Sequence, residues 1–553
     1  MAASRDRLQR SRARPERLPR QRAGPSYRRR GHRAERSALA AGERPLAAAR
    51  PGHGPRPRPL SGASRHRGGA VRVRPGGSRG GRPRTTDGDP LVSTSAQHTS
   101  PRRPATARER LARSASISKM PITEPMDRMP PGPSESVARQ TVRFRRSRQH
   151  YLTQMHDRYG DMVTLRVVPG GPFVLLRDPE HIKEVFRGAP DVFHAGEGNS
   201  LLVPIVGRHS VLTLDAPEHR PARKRMMPPF HHERISQLVV AMQELAEREA
   251  LSWPVGRPVR LLDRAYALTL DIMVRVVFGV DDPGRAAELG AALRKVADIG
   301  LSDILVWIRP GLGRVWPWTK VVSGLERADE LIYAEIARRR ADPRRSERTD
   351  VLSMLLEGEP DDEVVRDEVM TLLVAGHETT AVALAWLFER LVRHPRVLAR
   401  VREGLDEPKD PYRTAVFKEA LRVRPVIHNV ARRLTEPIEL GGYRLPAGVS
   451  VLPSIGAVQC DPRLWGPDAR LFRPERWLEG TPPQNAWIPF GGGARRCLGA
   501  TFAQVEVETV LAAVLRAVEL RAVDPGDEGS AMNHITMIPK RGARVSVVRR
   551  LLP

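Results

Sequence analysis

The order of apolar and polar residues splits the chain into a uniform leader and a patterned remainder. Up to residue 119, Arg, Pro, Gly, Ser and Ala follow one another with almost no aromatic residue and no apolar period. Such a segment cannot bury enough apolar surface to offset the entropy of ordering it, so 1–119 is expected to be disordered. Pattern begins near Met129-Pro130-Pro131-Gly132-Pro133. Residues 136–159 read as an amphipathic helix stopped by Gly160. Two β-like runs follow, 163–168 and 173–176, with Pro169-Gly170-Gly171 between them. Asp178-Pro179 opens a further helix. From 217 to 408 the period is mostly helical, and 361–393 is its longest run. Strand-like pattern returns at 438–451, with turns at Gly441-Gly442 and Pro446-Ala447-Gly448. One last helix covers 498–518, and short strands at 535–538 and 543–548 end the chain. No internal repeat is visible. The expected fold is mainly α with a small β subdomain, a single domain over 120–553.

Charge sharpens the same boundary. The net charge is +29, from 92 Lys+Arg against 63 Asp+Glu. Residues 1–119 hold 30 basic and 7 acidic side chains, so 120–553 carries only +6. Arginine without interleaved aromatics is weak ground for a specific nucleic-acid-binding arm. A solvated tail, or a true start at Met120, Met126 or Met129, accounts for it as well, and no nucleic-acid partner is expected. The two cysteines, Cys460 and Cys497, cannot frame a disulfide-built fold. No run of 18 or more apolar residues occurs, and the N-terminus lacks the apolar stretch of a secretory signal. A cytoplasmic protein without a transmembrane segment is expected.

Candidate chemistry sits in two segments. The first is Phe490-Gly491-Gly492-Gly493-Ala494-Arg495-Arg496-Cys497-Leu498-Gly499. Glycines on both sides of a cysteine let backbone approach a flat ligand. Free N–H groups at the start of the last helix, and two arginines, favour a thiolate at Cys497. Taken alone, a lone cysteine in such a turn is more often a buried structural thiol. The second segment is Ala375-Gly376-His377-Glu378-Thr379-Thr380, inside the longest helical run. Gly376 costs about 1 kcal/mol there relative to alanine. Thr379 can turn its hydroxyl onto the Ala375 carbonyl. Together they would make an opening beside a hydroxyl and a carboxylate. A buried helix with its polar residues satisfied by neighbours is the competing account, and His377 reads as packed or hydrogen-bonded. His219 and Arg223, four apart on a helix face, could reach one anionic group. Glu419 and Arg422 form an i,i+3 pair. His231-His232-Glu233 lacks zinc-site spacing, and neither a phosphate loop nor a dinucleotide fingerprint is present.

The cysteine loop matches F-x-x-G-x-R-x-C-x-G at every defined position, and the whole set resembles the cytochrome P450 family, in order, over roughly 130–553. The resemblance implies that family's triangular, mostly helical domain with a β-rich corner. It implies haem b (iron protoporphyrin IX) with Cys497 as the iron ligand, and Phe490 packed beside it. Ala375 and Gly376 would lie over the haem face. His219, Arg223, Arg495 and Arg432 (or its neighbour Arg433) would contact the haem propionates. Thr379 would hydrogen-bond at the oxygen-binding position and Glu378 would deliver protons. Glu419, Arg422 and Arg476 of Pro474-Glu475-Arg476-Trp477 would form a buried structural network, with tryptophan where the family has phenylalanine. The implied reaction inserts one atom of O2 into a small hydrophobic substrate, with electrons from a separate ferredoxin or flavodoxin and its reductase. The segments 130–133, 196–212 and 214–233 look most like a bacterial subgroup that oxidises fatty acids, alkanes or terpenes. Val426, Ile427, Thr536 and Met537 would line the pocket. Peroxide-using relatives often lack the acid–alcohol pair, so Glu378-Thr379 argues for O2.

Overall fold

The computed structural model describes residues 106–114, 128–146, 148–168, 171–297, 299, 310–316 and 318–552. Of the expected disordered leader, 106–114 belongs to this set, and there Ala107–Ser114 is a helix. Disorder is therefore the wrong expectation for that stretch. Ala107 and Arg110 are buried, and Arg110 pairs with Asp329 on the helix Thr319–Ala341. Asp329 also accepts from Arg366 Nε at 2.8 Å, and Arg366 Nη1 donates to Asp367 at 3.0 Å. Nothing in a run of arginines distinguishes the one that will find a buried carboxylate.

The helix Asp362–Arg393 runs through the core. Asp362 and Glu363 lie in its first turn and Arg390 and Arg393 in its last, matching the partial charges of its ends. Its length and apolar composition would suffice to cross a membrane, but 72% of that apolar window is buried inside the fold. A helix apolar on all sides belongs in a core. Leu261–Met273, Pro411–Val423 and Ala500–Ala517 pack around it. Pro411–Val423 starts where Asp410 accepts from Tyr412 N and Arg413 N at 2.8 and 3.1 Å, with Pro411 in the first turn.

The described strands are β1 (Met162–Val167), β2 (Gly171–Leu176), β3 (Phe193–His194), β4 (Pro258–Arg260), β5 (Arg432–Leu434), β6 (Ile438–Leu440), β7 (Tyr443–Leu445), β8 (Ser450–Pro453), β9 (Val518–Ala522), β10 (Ser530–Asn533), β11 (Thr536–Pro539) and β12 (Arg544–Arg550). The largest sheet has the order β1-β2-β8-β5-β3, with β2 and β8 parallel and the other pairs antiparallel. β4-β12-β9 forms a second sheet, and β6-β7 and β10-β11 are separate hairpins. The fold is mainly α with small β regions, as expected. The helix expected over 136–159 is two, Val137–Arg146 and Arg148–Tyr159, and it stops at Gly160, whose φ is +97°.

His156 ties the second of these helices to the large sheet. Its Nδ1 lies 3.1 Å from Gly160 O and its Nε2 3.1 Å from Ser454 Oγ. A carbonyl only accepts, so Nδ1 carries the proton and Nε2 accepts from the serine. Burial pulls its pKa from 6.5 to about 4. Imidazolium is therefore favoured in the unfolded chain, and stability present above pH 6.5 is lost as pH falls toward 4. Between pH 7.5 and 5.5 this one group costs roughly 1 kcal/mol. Urea unfolding at the two pH values should show His156→Gln with a pH dependence smaller by that amount. An unchanged dependence would exclude His156 as a titrating group.

Candidate active site

The cysteine loop is shaped by its backbone. Cys497 N donates to Phe490 O at 2.9 Å and closes it. Gly493 has φ +64°, and a Cβ there would stand 1.8 Å from Phe186 O; one on Gly492 would stand 2.3 Å from the Phe186 ring. Both glycines thus let the loop lie on the end of the helix Pro179–Arg187. Gly499 then caps Ala500–Ala517. The Cys497 side chain is open to the space in front of it, with protein close on its other sides. Burial pushes its thiol up, while the Gly499 N–H, Arg496 and Arg223 pull it down. The Phe490 ring is half-buried, 6.1 Å from Trp487 and 6.4 Å from Phe417.

In the long helix, Thr371–Leu373 and all residues from Thr380 to Leu391 are buried, yet Ala375 between them is exposed. An exposed alanine in the middle of a core helix marks a space that protein leaves unfilled. Thr379 Oγ1 donates to Ala375 O at 2.6 Å, as expected, although the helix stays continuous. Gly376 has a reason the sequence did not suggest. A Cβ there would meet Met273 Cε at 3.0 Å and Sδ at 3.1 Å, so the glycine admits the neighbouring helix, and close packing offsets its propensity cost. His377 faces away from the space, with Nδ1 2.9 Å from Thr269 Oγ1 and its ring 5.4 Å from Tyr266. Burial lowers its pKa to about 4, so it is neutral.

Glu378 Oε1 accepts from Thr536 Oγ1 at 2.7 Å and Asn533 Nδ2 at 2.9 Å, and His534 Nδ1 lies 3.6 Å away. Burial raises the carboxyl's pKa, but these partners together outweigh it and hold the group ionised. Thr536 and Met537, expected to line the pocket, are both buried. So is Val426, while Ile427 is half-buried. Met537 N donates to Val426 O at 2.8 Å, and Ile427 bridges Thr536. Backbone pairing and the bond to Glu378 therefore account for Thr536 and Met537.

The cations gather as the helix and strand geometry require. His219 and Arg223 share one face of the helix His219–Met226. Burial first, then Arg495 and Arg223, lower the His219 pKa to about 4. Arg432 in β5 is buried, donates to Ala431 O at 2.8 Å, and is lowered to about 10 by burial and then Arg495. Strand alternation sends Arg433 to the other face, where Nε is 3.2 Å from Glu197 Oε2. Among the described residues neither Arg223 nor Arg432 forms an ion pair. Arg495 does: Nη2 donates to Asp215 Oδ1 at 2.7 Å and Nη1 to Val211 O at 3.2 Å. Asp215, missed in the sequence, also accepts from Gly196 N and Glu197 N. Unpaired, poorly solvated guanidiniums call for anions. With an open thiol and an exposed alanine, this donor set fits a haem with two carboxylates.

Behind the loop, Arg422 Nε and Nη2 grip both oxygens of Glu419 at 2.8 Å, and neither side chain is exposed. Arg476 Nε donates to Glu419 at 3.0 Å. Trp477, in place of the family's phenylalanine, adds an indole N–H to Glu419 at 2.9 Å.

A family model for cytochrome P450 matches residues 130–545. Cytochrome P450 135B1 of Mycobacterium tuberculosis is 42% identical over 431 residues, 76% of this chain and 91% of its own. Cytochrome P450 135A1 of the same species is 39% identical over 433 residues, 76% of this chain and 96% of its own. A solved retinoic acid bound cyanobacterial CYP120A1 superposes with a TM-score of 0.67 at 21% identity, covering 76% of this chain and 99% of its own. That likeness concerns the fold, while the sequence matches reach further. The chain belongs to the cytochrome P450 family and is a haem-containing monooxygenase.

Proposed function

We propose that the Cys497 thiolate would bind the haem iron and that Glu378 and Thr379 would serve proton delivery. The observation that carries this reading is an open thiol with unpaired cations beside it, in a fold that also leaves Ala375 exposed. Haem supplies oxygen activation once reduced, and its thiolate ligand favours O–O cleavage. The chain's part is to hold and to aim. Arg223, Arg432 and neutral His219 bind the propionates. Arg495 binds there too, or acts through Asp215, which fixes its guanidinium. Ala375 would leave room for the macrocycle, and Phe490 supports the ligand loop. Glu378 Oε2 takes protons from water and passes them toward the Thr379 hydroxyl, whose own proton otherwise rests on Ala375 O. The proposed substrates are fatty acids, alkanes or terpenes, and the proposed electron donor is a ferredoxin or flavodoxin with its reductase. The proposed compartment is the cytoplasm, and the proposed catalytic domain takes in the helix Ala107–Ser114 as well as the expected 120–553.

Two measurements test this. Lipids and terpenes should shift the ferric spin state on titration. With a ligand that does so, Thr379→Ala and Glu378→Gln should each lower product formation by about 100-fold, with more oxygen lost as peroxide. Variants coupled as well as wild type would overturn the proton-delivery role.

A further inference from the structure

Glu378 can pass a proton only if its carboxylate is aimed, and its own helix does not aim it. The groups that reach it belong to the β10-β11 hairpin. Asn533 Nδ2 at 2.9 Å and Thr536 Oγ1 at 2.7 Å both donate to Oε1, and His534 Nδ1 stands 3.6 Å from the same oxygen. The Thr536 hydroxyl also lies 2.9 Å from Asn533 O, but an ionised carboxylate is the stronger acceptor. His534 has φ +50°, a conformation uncommon outside glycine, so the turn holds a shape its sequence does not favour by itself. The hairpin is fastened elsewhere. Trp386 Nε1, further along the same helix as Glu378, donates to Met537 O at 2.7 Å, and Met537 N donates to Val426 O at 2.8 Å. Thr536 is fully buried, so a lost partner could not be replaced by water without opening the hairpin.

We propose that Asn533 and Thr536 are positioning residues that lock Oε1 of Glu378 and leave Oε2 as the oxygen that exchanges protons. This inference rests on the reading of Glu378 as proton donor. Donors on one oxygen favour the ionised state, so the carboxylate is returned ready for the next proton. They also stop it rotating, which leaves Oε2 as the oxygen without these donors.

The test uses the ferric holoenzyme and then the reconstituted system with dodecanoate as probe. Thr536→Val should speed hydrogen–deuterium exchange over 374–382 and 530–538 and raise the ratio of peroxide to water formed by about tenfold, the scale of a hydrogen bond to a charged group. Thr536→Ser, which restores the hydroxyl, should restore both. Asn533→Leu, at a half-buried site, should act in the same direction and carries the test if Thr536→Val fails to take up haem. Faster exchange with wild-type coupling would reduce these residues to a structural role and overturn the proposal. So would wild-type behaviour of both variants beside an impaired Glu378→Gln. A fully coupled Glu378→Gln would instead remove the reading beneath it.

Discussion

Replacing Cys497 with alanine is expected to give a folded protein that has lost all oxygen activation. The two halves of that result have separate causes. The side chain is exposed on one side, and what its sulfur gains from the protein is the Gly499 N–H. The loop is shaped by the Cys497 N–H on Phe490 O and by glycines pressed on Phe186, and alanine keeps all of these. Exposed substitutions usually change stability by no more than about 0.5 kcal/mol, so unfolding of the apoprotein should be unaltered. Haem uptake should weaken, and the reduced carbon monoxide complex should lack the red-shifted Soret band of a thiolate-ligated haem. Cys460→Ala is the contrast, since Cys460 Sγ lies 3.7 Å from Arg422 O and faces the network behind the loop. It should keep that band. A Cys497→Ala protein with an unchanged spectrum would falsify the ligand assignment.

The second large effect is on folding. Glu419 receives Arg422 on both oxygens, and also Arg473 N, Arg476 and Trp477. Arg422 additionally donates to Gln459 O at 2.8 Å and Leu471 O at 3.0 Å. Removing Arg422 takes away the bidentate pair and leaves buried Glu419 with Arg476 as its remaining counter-charge, at a cost of about 3 kcal/mol. Arg422→Leu should therefore yield little soluble protein, and what folds should unfold at a much lower urea concentration. Trp477→Phe, the residue the family has there, removes one neutral donor and should cost only about 1 kcal/mol. Equal losses from the two variants would show that the bidentate pair is not the centre of this network.

Much of the fold was legible because its long elements keep their period. The core helix expected at 361–393 is Asp362–Arg393, and the last helix expected at 498–518 is Ala500–Ala517. Short elements were missed where the pattern is too brief to read, as in β3, β4 and β5. Motif spacing marked Cys497, Glu378 and Thr379 because their neighbours in the chain belong to the same chemistry. Partners supplied from far away left no local trace. Asp215 meets Arg495, and Asn533 and Thr536 meet Glu378, across gaps of more than a hundred residues. Gly376 was read as part of an opening, whereas Met273 on another helix explains its missing side chain.

Arg110 gives the leader a second meaning. Asp329, Arg366 and Asp367 are all buried, and with Arg110 the positive and negative charges of the group balance. A version of the chain begun at Met120 would ask one guanidinium to serve two carboxylates in a dry interior. One of them would then take up a proton, or the helix Thr319–Ala341 would part from its neighbours to admit water. The choice of first residue is thus also a choice about the internal ionic composition of the folded protein.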